Sequence, residues 1–365
     1  MALTKDWEVK LAEIRAKENL TTSGNIKNKS IVNPVLLDKR IERVFRFWRS
    51  CEFPYYDMTD SFRQEKFDAF MKIYDDTCLD FNNRAFTFNN GGLALSWSYH
   101  PDAWSVPCND SKSPFDAWND DELMKKGIKK ILTGSFFDKK PIEQLMKYDS
   151  ITKGAMRGML RRISGSQMVS NFRPTTASML YKLFTDEGDV VWDPSCGWSG
   201  RLLGAIKSNI NYIGTDPSTS ALKGSDEMMR TFGNKGSSYK LHCCGSEERI
   251  VDKNSLDFVF TSPPYFGTEK YSDEPTQSYL KFNNIESWKE GFLRKTLENA
   301  YYGLKPNKFC AINVADVKSY DTFETDTKQI AKEVGFKYVD EFDYVMGSQQ
   351  ASSKSEPIFI FKKGI

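Results

Sequence analysis

Residues Thr261 to Tyr265 read TSPPY and follow the apolar run LDFVF. Each proline fixes its own φ and cannot donate to a sheet ladder, so this is a stiff loop at a strand end. A serine beside a rigid diproline supplies two fixed hydrogen-bond acceptors, Ser262 Oγ and the Pro263 carbonyl, and Tyr265 then offers a flat ring. Such a set suits an amine whose lone pair is delocalised into an aromatic ring. Accepting its two hydrogens pulls the nitrogen toward a tetrahedral, nucleophilic geometry, and acceptors already in place do this without reorganising during the reaction. Phe266 either extends that wall or packs inward. The bland alternative is a rigid turn, and the neighbouring strand ends decide between the two.

Upstream, the run VVW ends in DPSCGWSG. Asp193 closes that strand, and Gly197 and Gly200 let backbone come close to a ligand. The loop is not the dinucleotide fingerprint G-x-G-x-x-G, and it has no P-loop lysine. Asp216 ends the next strand, NYIGTD, where it is either an acceptor for ribose hydroxyls or a helix cap. CGSEE follows the third strand and TSPPY the fourth. In a doubly wound sheet, ligands lie beyond the carboxyl ends of the strands, so these four loops belong together.

The elements that position them alternate regularly from about residue 185. Strands are predicted at DVVWD, NYIGT, YKLHCC, LDFVF, KFCAIN, KYVDEFDYVM and PIFIFKK. Helices are predicted at RLLGAIKS, SALKGSDEMMRTF (closed by Gly233), the long SWKEGFLRKTLENAYYG before Pro306, and TKQIAKEVGF. Alternation of this kind implies a mainly parallel sheet covered on both faces. The last two strands are joined by a polar loop without a helix, which predicts an antiparallel pair at the sheet edge. The first 150 or so residues differ. RIERVFRFWRSCEFPYYDM, FDAFMKIYDD and DELMKKGIKKILTG read as helices around an irregular aromatic stretch, and the start MALTKDWEVKLAEIRAKENL reads as a charged helix.

The order D-P-x-x-G, strand-terminal Asp, then [D/N/S]-P-P-[Y/F] resembles the S-adenosylmethionine-dependent amino-methyltransferases of DNA, which modify N4 of cytosine or N6 of adenine. The resemblance covers roughly residues 170 to 365. It implies a Rossmann-like, doubly wound α/β fold: a mainly parallel seven-stranded methyltransferase sheet with an antiparallel edge pair, plus a mostly helical N-terminal domain. The change of pattern divides the chain into residues 1–150, mostly helical with a target-recognition or accessory role expected, and a methyltransferase domain, 151–365. The resemblance implies S-adenosyl-L-methionine as cofactor, with Phe172, Arg173 and Pro174 of NFRP and the loop of Asp193, Pro194, Ser195, Gly197 and Gly200 around the methionine end. Asp216, with Pro217, takes the ribose, and Ser246 (or its rival Glu247) takes the adenine ring. Thr261 is implied as a further cofactor-binding residue, and it leads into the catalytic Ser262, Pro263, Pro264 and Tyr265, with Tyr265 stacking on a base flipped out of the duplex. One departure stands out: Ser199 occupies the place of the family's second glycine, and Gly200 follows it. Serine at the head of the tetrad favours cytosine N4 over adenine N6.

Composition bounds the rest. The chain has 365 residues and a net charge of +2, so no overall basic excess points to nucleic acid, although a local patch can hide in a balanced total. Seven cysteines do not form a disulfide framework pattern, and Cys243 and Cys244 read as buried strand residues. His100 and His242 are the two histidines, too few for a Ser-His or Cys-His nucleophile, and no metal site is expected. With no membrane-spanning run or signal segment, a cytoplasmic enzyme with no membrane partner is expected. The partner implied is double-stranded DNA. An RNA amino-methyltransferase remains the alternative enzyme, and a silent DNA-binding subunit of methyltransferase fold the alternative of another class. The N-terminal region is the expected reader of the target. Its RIERVFRFWR and KKGIKK pieces would touch phosphates and bases, or else Phe45, Phe47 and Trp48 are core and the lysines a solvated face.

Overall fold

A computed structural model describes residues 34–108, 110–134, 146–147, 150–163, 165–347 and 355–365. The chain forms two compact units, Met1–Tyr55 with Asp110–Met168, and Tyr56–Asn109 with Val169–Ile365. The predicted N-terminal helix and most of the polar loop near residue 350 lie outside the described residues.

The larger unit is built on a nine-stranded sheet. Its strands are β1 (Leu79–Asp80), β2 (Ala85–Phe86), β5 (Val190–Asp193), β6 (Asn211–Thr215), β7 (Tyr239–His242), β8 (Leu256–Thr261), β9 (Leu304–Asn313), β10 (Lys337–Val345) and β11 (Ser355–Lys362). The spatial order is β1-β2-β10-β11-β9-β8-β5-β6-β7. β5 to β9 pair in parallel, while β11 runs antiparallel to both β9 and β10. All seven predicted strands are present. β8 is buried along its whole length, as a continuous apolar strand in the middle of a parallel sheet should be. Alternate side chains sort to opposite faces: Val191, Phe258, Phe260, Ile358 and Ile360 enter one core cluster. Trp192, Val259, Ile312, Phe359 and Phe361 enter the other.

Strand order reverses between β5, which leads outward to β6 and β7, and β8, which leads the other way to β9. This switch point is where a doubly wound sheet opens a crevice.

Three features differ from expectation. Residues 56–109 fold with the sheet, so the chain does not divide once near residue 150. Phe70, Leu79 and Phe86 are buried in the same cluster as Leu180, Tyr344 and Ile358, and β2 pairs with β10. The β10–β11 pair is consequently not the outermost edge. The long helix is also interrupted: a π-helical turn, Lys289–Arg294, separates Ile285–Trp288 from Lys295–Gly303. β9 then starts at Leu304 and takes in Pro306, opposite a register shift at Leu256/Phe258 that accommodates the missing N–H.

Among its described residues the smaller unit is mostly helical: Pro34–Arg49, Pro114–Asn119, Asp121–Leu132 and Lys153–Leu160, with one short hairpin of β3 (Met146–Lys147) and β4 (Ser150–Ile151). Phe45, Phe47 and Trp48 are buried in it, with Ile128, Ile131, Met156 and Met159. The aromatic residues of the RIERVFRFWR segment are therefore core. No described helix is long and apolar enough to cross a membrane.

Candidate active site

A cleft of about 1100 Å³, its open mouth included, lies at the carboxyl ends of β5, β6, β7 and β8. Ser262, Pro263, Pro264 and Tyr265 all line it. β8 stops at Thr261, where the diproline ends the ladder; Thr261 itself is buried beneath the loop and does not reach the cleft. Ser262 Oγ donates to Asn313 Oδ1 at 3.4 Å. The Tyr265 ring meets Phe323 edge-on at 5.6 Å, which anchors its far side. Phe266 does not line the cleft; it packs beside Trp288, 6.0 Å between ring centres.

The loop after β5 is shaped by three separate devices. Asp193 is fully buried and points away from the cleft: it pairs with Arg201 Nε at 2.8 Å and accepts from the Tyr212 hydroxyl at 2.7 Å. Its role is to hold Arg201, which does line the cleft. Gly197 is in the left-handed region (φ +53°) and faces open space, with only the Ser195 carbonyl within 4 Å of a would-be Cβ. Gly200 has another reason. A Cβ there would stand 1.9 Å from the Phe172 carbonyl, so this glycine lets the helix start lie against the chain's own backbone, not a ligand. Ser199, the departure from the family pattern, is left-handed as well (φ +61°). Its hydroxyl lies 2.7 Å from both His100 Nε2 and Ser225 Oγ, a buried network that fixes a conformation disfavoured for any side chain.

Asp216 directly follows β6 and lines the cleft. Its two oxygens accept from the backbone N–H of Gly197 and of Ser218, both at 2.9 Å, and it opens onto the cleft with Pro194, Ser195 and Pro217. Burial pushes its carboxyl up to about 6, against the lowering effect of those two donors. Past β7, Ser246 and Glu247 both line the cleft. Ser246 shares a hydroxyl contact with Thr296 at 2.8 Å, and Glu247 pairs with Lys281 at 2.7 Å.

NFRP divides. Phe172 lines the cleft and stacks on Tyr344, 4.6 Å between centres and 10° apart. Asn171 holds the β5 loop through the Trp198 carbonyl at 2.9 Å. Arg173 is buried with its guanidinium 4.0 Å above the Tyr344 ring, and Pro174 opens the next helix; neither lines the cleft.

A fifth strand end joins the four predicted ones. Asn313 closes β9, in register beside the end of β8, and the rule that flagged Asp216 would have flagged it. Glu269 and Tyr271 gave no such signal. They come from the loop after the tetrad, where Glu269 is buried and accepts from the Tyr271 hydroxyl. Burial pushes the Glu269 carboxyl up to about 6. The same loop is tied to the start of the helix Thr219–Phe232 by Glu274, which accepts from the Thr219 hydroxyl at 2.6 Å.

His100, Cys243 and Cys244 do not line the cleft. His100 is fully enclosed, and burial lowers its imidazole to about 3, so it stays neutral and structural. Cys243 and Cys244 are not buried strand residues: β7 ends at His242, Cys243 is exposed and Cys244 half-buried. Among the described residues no three His, Cys, Asp or Glu side chains cluster as metal ligands would.

No protein-family model matches the sequence, and no curated protein does. Among solved structures the chain is similar to a methyltransferase from Pyrococcus furiosus (20% identity, 53% of this chain and 83% of that one, TM-score 0.38). It is similar to a TehB-like SAM-dependent methyltransferase from Corynebacterium glutamicum (15%, 53% and 89%, TM-score 0.36). It is also similar to phosphoethanolamine N-methyltransferase 2 from Haemonchus contortus, in complex with S-adenosyl-L-methionine (16%, 52% and 52%, TM-score 0.35). The fold assignment rests on the strand order and register described above.

Proposed function

We propose that the chain is an S-adenosyl-L-methionine-dependent methyltransferase that modifies an exocyclic amine of a DNA base, cytosine N4 in preference to adenine N6. One observation carries the reading: the Ser262–Tyr265 tetrad and Asp216 open onto a single cleft at the switch point.

The donor set suits this cofactor. Asp216 is an acceptor for a ribose diol, and Gly197 leaves room for a close approach. Asp216, Glu269 and Glu356 line the cleft together with Glu247, which Lys281 pairs, and the one lining guanidinium, Arg201, is already held by Asp193. An acidic wall of this kind favours a ligand carrying sulfonium and ammonium charges. Bound there, S-adenosylmethionine supplies an electrophilic methyl group.

The chain's own residues prepare the acceptor. With its proton directed at Asn313, the Ser262 hydroxyl presents lone pairs to one amine hydrogen. The Pro263 carbonyl, held by the diproline, takes the other. The nitrogen is thereby drawn toward tetrahedral geometry; as the N–CH3 bond forms and the sulfonium S–CH3 bond breaks, the positive charge it develops meets two fixed dipoles, and the amine then loses a proton to water in the cleft. The ring of Tyr265, braced on Phe323, gives the base a face to stack on. Serine as first residue of the tetrad supports cytosine N4.

The test is incubation of the full chain with radiolabelled S-adenosylmethionine and either DNA or RNA, followed by mass spectrometry of the nucleosides. N4-methylcytosine in DNA is expected. Cofactor binding with no labelled nucleic acid would sink the reading, and label confined to RNA would replace DNA with RNA as the substrate.

A further inference from the structure

The net charge of +2 conceals two oppositely charged units. The smaller one, residues 1–55 and 110–168, carries 23 Lys and Arg against 15 Asp and Glu, a net of +8. The sheet unit carries 28 against 34, a net of −6. Segregation on this scale is an electrostatic footprint, because a polyanion is drawn to one unit and repelled by the other.

Within the smaller unit the cations are ordered. The helix Asp121–Leu132 buries Met124, Gly127, Ile128, Ile131 and Leu132. Lys126, Lys129 and Lys130, spaced i, i+3 and i+4, share the opposite face, with Lys126 and Lys129 exposed and Lys130 half-buried. On the helix Pro34–Arg49, Lys39, Arg43 and Arg46 are spaced i, i+4 and i+7 and lie outside the buried stripe of Ile41, Val44, Phe45 and Trp48. The two helices meet through Glu42, which pairs with both Arg46 and Lys125 at 3.0 Å. The aromatic residues of these helices are core, so this surface offers charge without stacking rings.

We infer that the exposed lysine and arginine stripes of the helices Pro34–Arg49 and Asp121–Leu132 bind the phosphate backbone of duplex DNA without reading its sequence. The inference rests on the proposed function for its choice of polyanion. A cleft lined by four carboxylates, in a unit of net negative charge, cannot attract a phosphate chain by itself. The smaller unit carries cationic surface of the kind that holds a phosphate chain. Contacts of this type position a duplex but carry no sequence information.

The test measures binding of the full-length protein to a labelled duplex of mixed sequence, by fluorescence anisotropy, between about 50 and 200 mM salt. Wild type should lose affinity linearly on a log–log plot. Lys126→Gln/Lys129→Gln should bind more weakly at every salt concentration, with a slope smaller by about 2, near 0.9 for each phosphate contact removed. Lys126→Arg/Lys129→Arg should restore both affinity and slope, and S-adenosylmethionine affinity by calorimetry should be unchanged in both variants. Equal affinity and slope for the Gln variant and wild type overturn the inference. So does stronger binding to duplex RNA, or to anionic phospholipid vesicles, than to DNA. A wild type that shows this salt-dependent, lysine-dependent DNA binding but transfers no methyl group upholds the docking surface while the enzymatic reading fails.

Discussion

Ser262 and Asn313 stand side by side at the ends of adjacent parallel strands, one residue beyond the Thr261–Ile312 pair, and the serine hydroxyl donates to the asparagine oxygen at 3.4 Å. The asparagine is itself fixed, because its Nδ2 donates to the Pro357 carbonyl at 3.1 Å. A hydroxyl can rotate to donate or accept, and the fixed Asn313 Oδ1 gives the serine proton a long, weak acceptor.

Two substitutions follow from that contact. Ser262→Ala removes an acceptor aimed at developing charge and should lower methyl transfer by about 10²–10³-fold. Asn313→Ala keeps the hydroxyl but frees its rotor, and should cost about tenfold, the value of one hydrogen bond of about 1.4 kcal/mol. In both, S-adenosylmethionine affinity by calorimetry should stay near wild type. An equal loss of binding and transfer would show that Ser262 serves the cofactor instead.

Glu269 predicts a pH dependence of stability. Its folded carboxyl is raised from 4.5 to about 6 by burial, opposed by hydrogen bonds from the Tyr271 hydroxyl and the Ser170 backbone. For an acid raised in this way, the folded state holds its proton longer than the unfolded chain does. Its contribution is therefore fully present below about pH 4.5 and lost as pH rises through about 6. Glu269→Gln has nothing to ionise. Compared with wild type it should gain at most roughly 2 kcal/mol at pH 7.5 and nothing at pH 4.5. Urea melts at the two pH values measure this, and a gain equal at both would remove ionisation as the cause.

The sheet was legible from the sequence because its signals are local and repeated. Apolar runs such as LDFVF, turn residues after them, and helical spacing in between reproduce the seven strands in order. Asp216 and the tetrad were legible because strand ends in this topology point to one place. Three classes of residue were not. Asp193 matched the motif, but its orientation depended on Arg201 and Tyr212, eight and 19 residues away, which no local pattern couples to it. Glu269 lies in a loop without periodicity. β1 and β2 are two residues each, too short to leave an alternation, and they join the sheet only because β10 lies there to be paired.

Gly197 and Gly200 give a matched test of why glycine is needed in one loop. Gly197→Ala meets open space and should cost only the left-handed backbone, about 1–2 kcal/mol. Gly200→Ala places a methyl 1.9 Å from the Phe172 carbonyl, inside any van der Waals contact and against backbone that cannot rotate away. It should shift the Phe172 segment or prevent folding, well beyond the cost at Gly197. Thermal melts of the two variants decide it, and comparable losses would mean the helix start is not pressed against Phe172.

The buried pair of Asp193 and Arg201 yields a further large effect. Both side chains are almost fully removed from water and 2.8 Å apart, and Asp193 also receives the Tyr212 hydroxyl. Asp193→Asn retains an oxygen for Tyr212 but strands a guanidinium in the interior, which typically costs about 3–5 kcal/mol. Arg201→Met in the same chain removes the stranded charge while keeping much of the volume. If the cost of Asp193→Asn is chiefly the unpaired charge, the double variant will be more stable than Asp193→Asn alone, in spite of carrying one more substitution. Denaturant melts of the single and double variants measure the difference. A double variant as unstable as the sum of its parts would mean that Asp193 acts through the β5 loop geometry and not through its charge.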